Sequence, residues 1–210
     1  MLVTVRRIGL LAVIVLALMA AVAYVVTKGG DSGGDATPSA VDIGFAQDMM
    51  VHHQQAVLMA AYAREHAGSD EVRNLAGAID SAQQREIGQL TGWLQSWGKP
   101  LQSDRAPMAW MADEMPGHMH GDVGAGSMPG MASPAEMDRL VNLTGKRLDV
   151  EFLRLMTRHH QGGLPMAKDA ASHARTDYVR NAARTMIQDQ QREIDLMQIL
   201  LRARGVSQER

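Results

Sequence analysis

The sequence predicts an all-α protein: an up-down-up-down four-helix bundle made of two duplicated helical hairpins and preceded by one N-terminal apolar helix. Two observations carry this prediction. Aromatic residues make up only 4% of the chain while alanine, leucine and methionine are plentiful, a composition that favours helices over strands. The chain also aligns with itself without a gap, because residues 42–98 match residues 149–205 at 23 of 57 positions.

Residues 1–28 are predicted to be a signal anchor or a signal peptide. Arg6 and Arg7 precede an uncharged apolar run, residues 8–26, whose helix would be about 28 Å long and would match the hydrocarbon core of a bilayer. The length favours an uncleaved anchor, although residues 21–23 form a candidate cleavage site. In both cases the rest of the chain is exported. Residues 29–41 are predicted to form a flexible tether.

Each copy of the repeat is predicted to fold as two helices, in residues 42–98 and in residues 134–205. Apolar residues recur at heptad spacing along the helices. Residues 67–70 supply a glycine stop and a helix cap between the first two helices, and residues 176–177 mirror this cap. Short turns make consecutive helices antiparallel neighbours, which predicts the up-down-up-down order.

The same histidine pair occurs in both copies, as His52–His53 and as His159–His160. The heptad register predicts that His52 and His66 face the core and that His53 lies at its flank. Each pair is followed by a Met-Ala sequence, six residues after its second histidine. The repeat therefore makes these four histidines candidate metal ligands.

Polar residues of the neighbouring helices are predicted to lie at the level of the histidines. Folding the first hairpin about its turn places Gln83 and Glu86 there, and Gln190 and Glu193 take the equivalent places in the second hairpin. Such a layer can satisfy its own hydrogen bonds and fix the register of the bundle. It can equally bind a metal or another ligand. The spacing alone leaves both interpretations open.

Several function classes are excluded. There is no cysteine, so neither a disulfide framework nor a thiolate site can form. The formal net charge of -2 argues against nucleic-acid binding. No helix carries the Glu-x-x-His motif of dinuclear carboxylate sites, and no nucleophile with a base or phosphate-binding loop is present.

The connection between the hairpins, residues 99–133, is a crossover rich in methionine, glycine and proline. Its methionines are Met108, Met111, Met115, Met119, Met128 and Met131. Thioether sulfur selects Cu(I), and imidazole suits several states of copper. The predicted ligands here are Met115, His118, Met119 and His120. The alternative is that the methionines are adaptable filler packed near Trp93 and Trp97.

The pattern HH-x5-MA followed by QQREI in both copies resembles the domain-of-unknown-function 305 family, which includes CopM-like exported copper-binding proteins. The resemblance covers about residues 42–205 and implies a ferritin-like bundle with copper binding outside the cytoplasm. By position it points to the four histidines above and to the motif methionines Met49, Met59, Met156 and Met166. The second copy departs from the pattern at Gly162, Gly163 and Pro165, which are expected to disturb the helix and the symmetry of two sites.

The sequence thus predicts an exported, membrane-anchored protein that binds copper, Cu(I) before Cu(II), for buffering, transfer or tolerance. Its predicted partners are the metal ion and, through the N-terminal helix, the membrane. The alternative is a non-catalytic structural or interaction module of the cell envelope with a buried His-Gln-Glu layer. A metal-dependent oxidase ranks last, because it requires a redox metal with an open coordination position.

Overall fold

The computed structural model describes residues 37–111 and 128–206. These residues contain five helices and no strand, which confirms the all-α class for this part of the chain. The helices are α1 (Ala40–His66), α2 (Asp70–Ser96), α3 (Pro134–Val141), α4 (Gly145–His173) and α5 (Asp177–Ala203).

The predicted anchor, residues 1–28, lies outside the described residues and stays a prediction. In residues 37–111 and 128–206, no helix combines the length and the apolar character that crossing a bilayer requires. The helix α1 begins with a capping box, in which Ser39 accepts from the Asp42 N–H and the Asp42 carboxylate accepts from the Ser39 N–H at 2.8 Å. It therefore begins inside the predicted tether.

A helix begins directly after Ser133, as the sequence predicts, with a second capping box between Ser133 and Glu136 and with Pro134 in the first turn. This helix, α3, ends at Val141. The next helix, α4, begins only at Gly145, after a link of three residues. The second hairpin therefore consists of α4 and α5, and α3 belongs to the crossover.

The helix directions differ from the predicted up-down-up-down order. The start of α1 meets the α4–α5 turn, where Asp42 accepts from the Thr176 N–H at 3.0 Å. The end of α1 meets the start of α4, where the Gly68 N–H donates to Asp149 at 2.6 Å. Since α1 is antiparallel to both α2 and α4, the bundle is up-down-down-up. The physical reason is the crossover, which is long enough to run back along the bundle.

Two aspartates at equivalent positions fasten the hairpins to each other. Asp42 in α1 also accepts from the Arg175 N–H at 2.9 Å and from the Thr176 hydroxyl at 2.6 Å, at the start of α5. Asp149 in α4 binds the backbone just before α2. Each hairpin thus caps the turn of the other, and the two hairpins are related by approximate twofold symmetry.

The core consists of two apolar clusters with the histidine pairs between them. One cluster lies toward the end of α1 and the start of α4 and includes Met59 and Met156. The other lies toward the start of α1 and the end of α4 and includes Met49 and Met166. Burial of such side chains is the main term that favours folding. The polar layer therefore interrupts an otherwise apolar core.

The helix α1 is buried on more sides than a heptad seam predicts. Residues 44–50 are buried without a break, because α1 packs against α2, α4 and the crossover. His52 faces the core as predicted, and His53 is fully buried instead of flanking. The prediction for His66 is wrong: its side chain is 43% exposed and lies against Tyr62. A straight helix drifts by about 20° per heptad from a seven-residue repeat, which moves this last turn off the seam.

The helix α4 stays continuous through Gly162, Gly163 and Pro165. The expected local disturbance of this helix is therefore wrong. Proline removes one helical hydrogen bond and glycine weakens the helix. Packing against α1 and α5 along a helix of 29 residues outweighs these local preferences.

Candidate metal centre

The two histidine pairs meet in the middle of the bundle and form what we call the histidine layer: His52, His53, His159 and His160. Each of these residues is at most 1% exposed. The rings of His52 and His159 face each other across the α1–α4 contact, with centroids 3.8 Å apart and planes inclined by 34°. Antiparallel packing of two equivalent helices therefore brings both pairs to one level.

Backbone carbonyl oxygens hold the two facing rings. The Nε2 atom of His52 lies 3.2 Å from the Pro129 oxygen in the crossover. The Nε2 atom of His159 lies 3.0 Å from the His52 carbonyl oxygen. A carbonyl oxygen only accepts hydrogen bonds, so Nε2 carries the proton in both rings. In the neutral ring the lone pair is then on Nδ1.

Glutamates lie behind the other two rings, at the predicted level. The Nε2 atom of His160 is hydrogen-bonded to Glu193 Oε2 at 2.6 Å. The Nε2 atom of His53 lies 2.7 Å from Glu86 Oε2 but is not aligned for a hydrogen bond. Both glutamate side chains are 20% exposed. A carboxylate in this place fixes the tautomer of a histidine and makes it a better metal ligand.

The Nδ1 atoms of all four histidines are buried and have no hydrogen-bond partner among the described residues. The Oε1 atoms of Gln83 and Gln190 are in the same situation. A buried polar atom left unsatisfied costs about 1–3 kcal/mol, and native proteins contain few of them. An ion that accepts lone pairs would satisfy the imidazole nitrogens, which are common ligands of copper and zinc.

Burial keeps the facing rings neutral. It lowers the pKa of His52 to about 3, and the neighbouring His53 adds to the effect. Burial also lowers the pKa of His159 well below its ordinary value, with His52 as the next cause. Metal ions bind the neutral form of histidine. At neutral pH these two rings therefore need no deprotonation before they can act as ligands.

A short part of the crossover, residues 128–132, covers the histidine layer, and we call it the strap. Gly130 has a φ of 79°. A Cβ added to Gly130 would come within 3.0 Å of the Arg158 oxygen, and one added to Gly162 would come within 3.0 Å of the Pro129 oxygen. Real Cβ atoms do not tolerate such separations. Glycine at both positions therefore allows the strap to approach α4 closely.

The first hairpin holds the strap with Gln55. Its amide Nε2 donates to the Ala132 oxygen at 2.9 Å, and its Oε1 accepts from the Ala132 N–H at 2.6 Å. Because both polar groups of one backbone residue are satisfied by one side chain, the end of the strap is fixed in register with α1.

A buried carboxylate holds the start of the methionine-rich segment. Asp48 accepts from the Met108 N–H at 2.7 Å and from the Trp110 Nε1–H at 2.7 Å. Met108 has a φ of 65°, a conformation that residues other than glycine rarely adopt. Burial raises the pKa of Asp48, although both hydrogen bonds act against that rise.

The methionines named by the sequence fall into three groups. The motif methionines are fully buried in the two apolar clusters: Met49, Met59, Met156 and Met166. Four crossover methionines pack in the second cluster or against it: Met108, Met111, Met128 and Met131. The favoured crossover ligands lie outside the described residues: Met115, His118, Met119 and His120. For the second group the packing agrees with the filler interpretation.

Residues 37–111 and 128–206 contain no group of three or more histidine, aspartate or glutamate side chains that could hold an ion by themselves. An ion in the histidine layer therefore needs a further donor of another type, or fewer than three such ligands. Thioether sulfur is the soft donor that the neighbouring clusters offer.

A cavity of about 700 Å³ lies elsewhere, between α3, α4 and the end of α5. Its lining includes Glu136 and Arg158, which are joined by two hydrogen bonds of 2.7 Å. Arg139 and Glu151 form a second pair at 2.8 Å. These charges neutralise each other, whereas the histidine layer contains buried nitrogen atoms without partners among the described residues. The histidine layer is therefore the better candidate site.

Sequence reasoning missed the residues that fasten the crossover, among them Asp48 and Gln55. A signal for them existed in the repeat, at positions where the two copies differ. Asp48 is equivalent to Leu155, and Gln55 is equivalent to Gly162. Polar residues that only one copy carries mark contacts with a segment that occurs only once.

The chain resembles known proteins over most of its length. A family model described as "Domain of unknown function (DUF305)" matches residues 42–201. A DUF305 protein from Streptomyces coelicolor, whose description proposes secretion, is 41% identical with a TM-score of 0.71 and covers 81% of this chain and 97% of its own. A DUF305 fragment from Deinococcus radiodurans is 31% identical, with a TM-score of 0.64 and coverage of 79% and 98%.

The structure of CopM is also similar. In its Cu(I)-bound form CopM is 25% identical, with a TM-score of 0.59, and the match covers 77% of this chain and 96% of CopM. In its Cu(II)-bound form the identity is 28% and the TM-score is 0.58, with the same coverage. Among curated proteins, none matches the sequence significantly.

Proposed function

Because its residues 42–201 match the family model, the chain belongs to the DUF305 family, and from this premise we propose that it is an exported copper-binding protein that buffers or transfers copper or confers tolerance to it. Cu(I) is the favoured ion and Cu(II) the second. The Cu(I)-bound and Cu(II)-bound forms of CopM support this proposal. The secretion proposed for the Streptomyces coelicolor protein supports export.

The proposal includes anchoring of the exported domain by residues 1–28, or its release if they are cleaved. The apolar length of this segment supports it. The exported domain would work in an oxidising compartment. Because the chain contains no cysteine, methionine and histidine are its available soft and intermediate metal ligands there.

The observation that carries the proposal is the set of four buried Nδ1 atoms without partners. In three of the four rings Nε2 is hydrogen-bonded to an oxygen. Imidazoles that bind metals through one nitrogen commonly donate through the other in this way. The proposed ligands are therefore the histidines of the layer: His52, His53, His159 and His160. The motif methionines are proposed as neighbouring sulfur donors: Met49, Met59, Met156 and Met166.

The crossover is proposed as a second copper-binding region. Its ligands would be Met115, His118, Met119 and His120, since two imidazoles and two thioethers in a short stretch suit copper. This group and the histidine layer can be separated by substitution, because they share no residue.

The histidine layer is tested by two variants, H159Q and H159N, in which an amide side chain replaces the imidazole of His159. Glutamine keeps an N–H near the position of Nε2 and has no atom equivalent to Nδ1, whereas asparagine places its amide nitrogen near Nδ1. We expect H159Q to keep its contact with the His52 oxygen and to lose Cu(I) affinity. The measurement is competition for Cu(I) with a chromophoric chelator, without oxygen, beside a thermal unfolding curve of the apo protein.

The crossover is tested in the same titration with a variant that carries M115L, H118N, M119L and H120N. Loss of one bound ion in this variant, with a second ion retained, would support two separate regions. If neither this variant nor H159Q changes Cu(I) binding, the proposed ligands are wrong. If the unchanged protein does not compete for Cu(I) at stoichiometric metal, the proposed function is wrong.

The second candidate function is a structural or interaction module, and the Nε2 hydrogen bonds favour it. In that case the layer only orders the core. Both H52Q and H159Q would then lower the melting temperature by the same amount with and without copper. A copper-dependent rise in melting temperature that these substitutions remove would exclude it.

A further inference from the structure

We infer that Met128 is a thioether ligand of the ion held at the histidine layer, and that Gln55 positions it there. This inference rests on the proposed function, because it completes the proposed site with a sulfur donor. It also assigns a role to the strap, which neither the repeat nor the motif methionines explain.

Met128 lies beside the layer. It is 3% exposed and directly precedes Pro129, whose carbonyl oxygen is 3.2 Å from His52 Nε2. Consecutive Cα atoms are about 3.8 Å apart, so the strap cannot carry Met128 far from His52. Its side chain packs in the apolar cluster that contains Met49, which lies one helical turn before His52. Among the described crossover methionines, Met128 is the most deeply buried.

The strap is fixed on both sides. On the α4 side, Gly130 and Gly162 approach so closely that neither position has room for a Cβ. On the α1 side, Gln55 holds Ala132 through two hydrogen bonds of 2.9 and 2.6 Å. A donor on a fixed segment keeps a metal site in a defined geometry. Gln55 acts through the strap and touches no proposed ligand atom, so it is a positioning residue.

The chemistry of the layer calls for such a donor. The described residues offer no third histidine or carboxylate for a single ion. A neutral thioether adds a ligand without burying another charge, and it favours Cu(I) over harder ions. The crossover occurs once, so its sulfur cannot serve both histidine pairs equally. Met128 therefore makes the two histidine pairs unequal as sources of ligands for that ion.

The test compares two Met-to-Leu variants of a full-length parent protein in which M115L, H118N, M119L and H120N have removed the proposed crossover ligands. In M128L a side chain of similar size replaces the thioether, a change that cores tolerate well. In the control, M186L, the same change is made at a residue 1% exposed in the same apolar cluster. Cu(I) affinity is measured by chelator competition without oxygen, and copper–sulfur scattering by X-ray absorption. We expect M128L to bind Cu(I) at least about tenfold more weakly than its parent and to lose part of the sulfur scattering, because loss of an outer partner alone lowers metal affinity about 10–100-fold.

The positioning role is tested by Q55A and Q55E. In Q55A the strap loses both hydrogen bonds, and we expect weaker Cu(I) binding and reduced sulfur scattering while nitrogen scattering remains. In Q55E the carboxylate still accepts from the Ala132 N–H, so part of the sulfur signal returns. A purely structural role for Gln55 would change the melting temperature of the apo protein and leave the sulfur signal unchanged.

The outcomes are distinguishable from failure of the proposed function. If the unchanged protein binds Cu(I) and M128L matches its parent in affinity and sulfur scattering, the assignment of Met128 is overturned. If M186L weakens binding as much as M128L does, the effect comes from packing and the assignment is overturned as well. If the unchanged protein does not bind Cu(I), the proposed function fails together with this inference.

Discussion

The two hairpins are copies of one sequence, yet they contact the crossover through different residues. The side chains of α1 that hold the crossover by hydrogen bonds have different residues at the equivalent positions of α4. These pairs are Gln47 and Arg154, Asp48 and Leu155, and Gln55 and Gly162. The histidine pair and the capping aspartate are retained in both hairpins. The repeat thus keeps the residues that twofold packing requires and differs where a segment that occurs only once breaks the symmetry.

The comparison also separates two origins of the polar layer. His53 with Glu86 and His160 with Glu193 lie within their own hairpins, so duplication alone explains them. The facing rings of His52 and His159 come from different hairpins, and they meet only because α1 and α4 pack antiparallel. Their different Nε2 partners, a strap carbonyl and a helix carbonyl, make the two halves of the layer unequal.

The largest expected effect is on stability at acidic pH. In the unfolded chain His52 and His159 take up protons near pH 6.5, whereas burial holds their folded pKa far lower, for His52 at about 3. Their contribution is fully present above about pH 6.5 and is lost as pH falls toward 3. The free energy of unfolding should fall by about 1.4 kcal/mol per pH unit for each histidine.

Urea unfolding of the apo protein between about pH 7 and about pH 5 measures this slope, above the range in which most carboxylates titrate. H52Q and H159Q should each remove about half of it, since one histidine comes from each hairpin. An unchanged slope in the double variant would refute the burial argument.

The next largest expected effect is on the free energy of unfolding when either of the two capping aspartates, Asp42 and Asp149, is replaced by alanine. Hydrogen bonds from Ser39, Thr176 and Arg175 lower the pKa of Asp42 even though burial acts to raise it. D42A leaves the donors at the start of α5 unsatisfied and should lower the free energy of unfolding by about 3 kcal/mol. D149A removes a contact to one backbone N–H and a longer contact to Arg204, so its effect should be smaller. Denaturant unfolding measures both, and a larger loss in D149A would contradict the account.

The smallest expected effect is on the free energy of unfolding when either of two glycines of the bundle is replaced by alanine. G162A places a Cβ against the strap and should lower the free energy of unfolding by about 1–3 kcal/mol. G88A makes the same change on an exposed face of α2 with no atom within 4 Å, and should raise it by up to about 1 kcal/mol. Thermal unfolding of the two variants gives the sign of each change. A stabilised G162A would show that the strap does not pack as described.

Much of the fold follows from local rules that the sequence displays. The capping boxes at Ser39 and Ser133 depend only on nearby residues. The contact of His53 with Glu86 follows from counting residues on either side of a tight turn. These features required no knowledge of how the hairpins pack against each other.

The rest depends on tertiary packing that residue spacing does not encode. A long crossover permits either order of helix directions, so the up-down-up-down prediction had no support beyond short turns. The prediction that His66 faces the core is wrong because the drift from the heptad repeat accumulates along α1. The strap contacts of Gln55 join residues 77 positions apart, beyond the reach of any local pattern. For the same reason Met128 did not stand out among six crossover methionines.

The central claim is that the histidine layer holds Cu(I) through Nδ1, and crystals of the Cu(I)-loaded protein test it most directly. Anomalous scattering at the copper edge locates the ion. We expect an ion between the two apolar clusters, about 2 Å from Nδ1 of a layer histidine, with the Nε2 contacts retained. Copper found only outside the layer, with all four Nδ1 atoms unbound, would contradict it.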